Sequence, residues 1–111
     1  MKIAEVFGLS NAIGQLLQEK LNTELIFKLH KVLKKLEPEI KSTQETLEKV
    51  RNDNEGADNL EVIVHHAEQK LLQDDSELTL EPTINKDELP EEMTGIVLIG
   101  LLPIITEEEN K

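Results

Sequence analysis

The sequence predicts a mainly α-helical protein. Its centre is an antiparallel hairpin, a long kinked helix over residues 23–52 against a helix over residues 58–73, with an N-terminal helix and a small C-terminal segment, part extended and part short helix. Three observations lead there. Ile26, Leu33, Ile40 and Leu47 recur every seven residues, with Leu29, Leu36, Thr43 and Val50 three places behind each, which is an a/d heptad seam. Asn52-Asp53-Asn54-Glu55-Gly56 then reads as a turn with a glycine C-cap. Beyond it, Leu60, Ile63, Val64, Ala67 and Leu71 put one apolar face on a returning helix.

The N-terminal helix is read over residues 9–21, from Leu9, Ala12, Ile13, Leu16, Leu17 and Leu21. Ser10 or Asn11 would cap its start, since a short side-chain oxygen accepts from the first unpaired amides. Gly14, inside it, would mark a close contact with a neighbouring helix. Asn22-Thr23 breaks the pattern and starts the long helix. There Leu25 and Val32 widen the apolar face in the first half only, so that half should be packed on more than one side, while residues 40–51 need a single seam. Glu24–Lys28, Glu37–Lys41 and Glu45–Lys49 are acid-before-base pairs four apart. Pro38 cannot donate an amide hydrogen bond, and because the heptad phase continues past it, a kink is expected rather than a break. Asp58 with Glu61 three residues later has the form of a capping box for the next helix.

After Asp74-Asp75 the period changes. Leu78, Leu80 and Ile84 alternate with Thr79, Glu81 and Thr83, a short strand that Pro82 places at an edge or ends. Leu89-Pro90-Glu91-Glu92 suits the first turn of a helix. The apolar run from Gly95 to Ile105 fits either a buried helix or a buried strand. The preferred reading is a short helix ending before Pro103, with Ile104 and Ile105 extended. Residues 1–106 form a single domain on this reading, and 107–111 a solvated acidic tail.

Composition narrows the class. The 111 residues contain no cysteine, tryptophan or tyrosine and carry a net charge of −11. The absence of cysteine removes disulfides and thiolate metal sites and points to the cytoplasm. The start has no signal-peptide pattern, and the run from Ile96 is too short to span a bilayer, so no membrane association is expected. Residues 1–53 hold nine Lys/Arg and eight Asp/Glu, whereas residues 54–111 hold three lysines and fifteen acids. The halves therefore either complement each other or leave the acidic half to face a basic partner.

Four constellations bear on function. Glu61, His65 and Glu68 project from one side of the third helix with ligand types suited to zinc, iron or manganese, yet one helix supplies too few ligands, and no metal or other cofactor is expected. Lys28, Lys31, Lys34 and Lys35 with His30 form a basic stripe. The overall charge and the scarcity of stacking aromatics argue against direct nucleic-acid binding. Asp74, Asp75, Glu77, Glu81, Asp87, Glu88, Glu91 and Glu92 could imitate a nucleic acid's charge and occupy a protein's basic groove. Ile40, Leu47 and Val50 offer a seam for self-association. A glycine-rich phosphate loop, a nucleophile elbow and a supported pair of carboxylates are all missing, so no enzyme is expected.

Met1-Lys2-Ile3, the stretch Leu25-Ile-Phe-Lys-Leu-His-Lys-Val-Leu-Lys-Lys-Leu-Glu-Pro-Glu-Ile40 and the closing Leu101-Leu-Pro-Ile-Ile-Thr-Glu107 together resemble a family of small phage and prophage proteins of unassigned function. That family joins a long N-terminal helix carrying a Leu-Glu-Pro-Glu element to an acidic C-terminal part. The resemblance implies a virus-encoded accessory or assembly protein in the cytoplasm of an infected bacterium, acting on a protein partner, either itself or a basic host or phage protein. An acidic inhibitor seated in the nucleic-acid groove of a host protein is the alternative. The resemblance brings no catalytic residues.

Overall fold

A computed structural model describes residues 1–80, 82–90 and 92–106, and within them the protein is mainly helical. The notional tail at 107–111 and the acids Glu81 and Glu91 lie outside the described residues. Helix α1 spans Ile3–Leu16, α2 Thr23–Asp53 and α3 Leu60–Gln73. Strand β1 is Ile84–Asn85, α4 is Gly95–Leu101, and β2 is Ile105–Thr106. Helices α2 and α3 pack together as the antiparallel hairpin that the heptads predict. The molecule is elongated, 56 × 27 × 23 Å, because α2 runs most of its length.

Helix α2 begins where Asn22 accepts the Leu25 amide at 2.8 Å on its side chain. It continues as one helix through Pro38. Its buried line is not quite the heptad seam. Leu25, Leu29, Val32 and Leu36 are buried, whereas Ile26 and Leu33, at a-positions, are only half-buried. Beyond Leu36 the line shifts to Ile40, Thr43, Leu47 and Val50. An α-helix has 3.6 residues per turn and drifts against a 3.5-residue repeat. In the first half, packing against α1 centres the buried face on a line that includes Leu25 and Val32.

Helix α1 starts six residues earlier than the periodicity predicts, and Ser10 and Asn11 lie inside it rather than at its cap. Its start is held from elsewhere. Glu5 accepts the Lys2 amide at 2.7 Å on its carboxylate, and residues 1–3 run against residues 74–76. The Ile3 amide donates to the Asp74 carbonyl at 3.0 Å and the Ser76 amide to the Met1 carbonyl at 2.8 Å. Such a start depends on residues some seventy positions away, so no local signal announces it. Helix α3 likewise lacks the expected capping box. Its N-cap is Asn59, with no side-chain cap, and Glu61 turns across the hairpin to Arg51 instead. Gly56 does supply the left-handed residue of the turn, at φ +92, two places after the C-cap Asn54.

Of the described residues in the alternating stretch 78–84, all but Ile84 lie outside a strand. Leu78 and Leu80 pack half-buried on the core in irregular chain, and only Ile84–Asn85 pairs, in parallel, with Ile105–Thr106. Leu89, Pro90 and Glu92 are not helical either. A 3-10 turn over Lys86–Glu88 precedes them, and α4 starts only at Gly95, where the Thr94 hydroxyl caps the Val97 amide. The helix reading of the apolar run holds: α4 ends at Leu101, a 3-10 turn carries the chain through Pro103, and Ile105 is extended. The core joins α1, the first half of α2, α4, Ile84, Ile104 and Ile105.

Candidate interaction surface

Helices α1 and α4 lie antiparallel, and glycine sets their approach. A Cβ built on Gly100 would stand 2.8 Å from the Ala12 Cβ and 3.2 Å from the Gly8 carbonyl oxygen. The close contact expected at Gly14 is therefore at Gly100, since Gly14 has nothing within 4 Å of such an atom. Val97 and Leu101 are buried under this crossing. A seven-residue helix laid on one neighbour can bury only one side, yet every residue of α4 except its glycines is apolar. Leu98 is half-buried on the core, but Ile96 is 79% exposed, Ile99 67% and Leu102, just past the helix, 48%. Beside this row runs an open groove of about 580 Å³, lined among others by Met1, Gly8, Leu9, Ile99, Gly100 and Pro103.

This surface is also short of charge. From Gly95 to Thr106 there is no ionisable side chain, and α1 has only Glu5, in a chain that is 32% charged. At the other end of the crossing the boundary is acidic, with Glu19 and Glu92 beside Gln15, Met93 and Thr94. Exposed apolar patches rimmed by polar residues mark contact sites in soluble proteins.

The residues singled out from the sequence are placed differently. Ile40, Leu47 and Val50 are half-buried along α2, and Ile40 and Val50 also line open grooves, one beside Pro38 and one beside Thr46. Among the described acidic residues of the segment 74–92, two are paired with lysines. Asp75 stands 3.6 Å from the Lys2 ammonium, which also donates to the Gln73 carbonyl at 3.1 Å, and the Asp74 carbonyl holds the Ile3 amide. Glu88 accepts from Lys28 at 2.8 Å and from the Asn85 amide at 2.9 Å. The hydrogen bond from Lys28, helped by that amide, holds the Glu88 carboxyl below its ordinary range. Glu77, Asp87 and Glu92 are exposed, and Glu91 lies outside the described residues.

The basic stripe is divided as well. Lys28 is tied to Glu88, so the two halves of the chain complement each other at this point. The Lys31 ammonium sits 5.2 Å from the Phe27 ring centre. Of the pairs expected along α2, Lys28 looks to Glu88, and Lys49 pairs forward with Asp53 at 2.9 Å rather than back with Glu45. Glu61, His65 and Glu68 are not brought together as a metal site. Among the described residues no group of three His, Cys, Asp or Glu side chains could hold an ion. Glu61 is engaged by Arg51, whose hydrogen bonds and charge lower its carboxyl pKa.

No family model, no curated protein and no solved structure matches this chain. No described helix is long and apolar enough to cross a membrane.

Proposed function

We propose that this chain is a non-enzymatic interaction protein, an accessory or assembly factor of the phage or prophage kind that its sequence resembles, working in the bacterial cytoplasm. The observation that carries this reading is the exposed row Ile96, Ile99 and Leu102 beside an apolar groove. Covering one such side chain contributes about 1.5–3 kcal/mol, so a partner seated there gains several side chains' worth of burial from a surface already ordered. The acidic-inhibitor reading has less behind it, because Glu88 and Asp75 are already matched by lysines of the first half.

A photo-crosslinking residue in place of Ile99, in cells making the full chain, tests the reading, with the same residue at exposed Gln69 on α3 as control. A protein captured from position 99 and not from position 69 is the expected result. No capture from 99, or the same products from both positions, overturns it.

A further inference from the structure

We infer that the α1/α4 face binds a second copy of this chain, the Ile96/Ile99 ridge of each copy lying in the groove beside Gly8 and Gly100 of the other. The inference rests on the interaction reading above and adds the identity of the partner.

Two features fit a second copy better than a basic partner. The first is shape. In a two-fold contact the same patch meets itself, so it must offer both a projection and a place to put it. Here Ile96 and Ile99 project, and the groove next to them is lined by Gly8 and Gly100, which have no side chain, and by Met1, Glu5, Leu9 and Pro103.

The second is charge. At −11, two copies repel each other, and any acid near a two-fold axis meets its own kind. A surface for a basic partner would carry acids, as residues 74–92 do. This face carries a single acid, Glu5, whose carboxylate holds the Lys2 amide of its own chain. Two further acids at this crossing, Glu19 and Glu92, stand at its far end. A patch with a single acid, on a protein of net charge −11, limits the repulsion between two copies and offers little to a basic partner.

Light scattering behind size exclusion on the full chain decides the matter, from micromolar to millimolar concentration and at low and about 0.5 M salt. With no Trp or Tyr present, concentration is read by refractive index. The expected mass is twice 12.6 kDa at both salts, because apolar burial is not screened by salt. Ile99→Glu should halve that mass with an unchanged far-UV circular dichroism spectrum, since the site is exposed. Val62→Glu, at an equally exposed position on α3, should keep the doubled mass. A single-chain mass for the unsubstituted protein at every concentration, or a doubled mass that survives Ile99→Glu, overturns the inference. A single-chain mass together with capture of a different protein from position 99 overturns the second copy alone and leaves the interaction reading standing. A single-chain mass without any capture removes both.

Discussion

The head of the molecule and its arm are held together in different ways. Among the described residues fourteen apolar side chains are buried, and all belong to the head: α1, the first half of α2, α4 and the segments around the two short strands. The arm, made of the rest of α2 with α3, buries one side chain, Thr43, whose hydroxyl turns back to the Glu39 carbonyl at 2.9 Å. None of α3 is fully buried. Three packing directions meet in the head, whereas two helices alone can cover only one narrow seam. The apolar outer face therefore sits on the best-packed part of the molecule, where its side chains are already positioned for contact.

The largest effect expected from this contrast is on stability. Leu29→Ala removes a fully buried side chain and should cost about 2–5 kcal/mol. Leu47→Ala, at a half-buried site of the arm, should cost about 1 kcal/mol. Urea unfolding followed by circular dichroism at 222 nm measures both. Equal losses would show that the arm is packed as tightly as the head, and the contrast would fall.

A second pair of variants sharpens the comparison inside the head itself. Gly100→Ala and Gly14→Ala make the same change in two helices of one core. At Gly100 the added methyl meets Ala12 and the Gly8 carbonyl, and overpacking of about 1–3 kcal/mol outweighs the gain in helix propensity. At Gly14 it meets nothing, so the propensity gain of about 0.5–1 kcal/mol remains. Thermal melts should move in opposite directions. If both rise, α4 is free to shift on α1, and the position of the Ile96/Ile99 ridge is not set by this crossing.

The same glycines show what a sequence can and cannot disclose. Both are glycines in apolar helices, and nothing local separates Gly14 from Gly100; only the antiparallel placement of α4 does. The hairpin was legible because its information is local and periodic, from Ile26 to Val50 and from Leu60 to Leu71. The start of α1 and the pairing of Ile84 with Ile105 were not, since each needs a partner distant in the chain. Asp58 and Glu61 show competition, with Arg51 taking the carboxylate that a capping box would use. The exposed apolar face left one trace: an unbroken run from Ile96 to Leu102 is more apolar than a helix buried on one side needs. Read as burial, that excess hid the surface. Read against the length of α4, it would have disclosed it.

The smallest effect concerns the ion pairs. Lys28–Glu88 ties the 3-10 turn after β1 to α2 with its side chains 29% and 20% exposed, whereas Arg51–Glu61 bridges the arm near the hairpin turn with side chains 46% and 78% exposed. Glu88 has a folded-state pKa below its ordinary value of 4.5, so acid protonates the unfolded chain more readily than the folded one. Its contribution is complete above pH 4.5 and is lost as pH falls through the lowered folded value. Glu88→Gln should therefore cost about 1 kcal/mol at neutral pH and nothing once both forms are protonated, so the two stability curves converge in acid. Glu61 is shifted in the same direction, but water and salt screen a pair so exposed, and Glu61→Gln should follow the unsubstituted protein at every pH. A difference for Glu88→Gln that persists in acid would mean that the residue acts through packing or its bond to the Asn85 amide rather than through its charge. The link between the acidic and basic halves would then be a matter of shape.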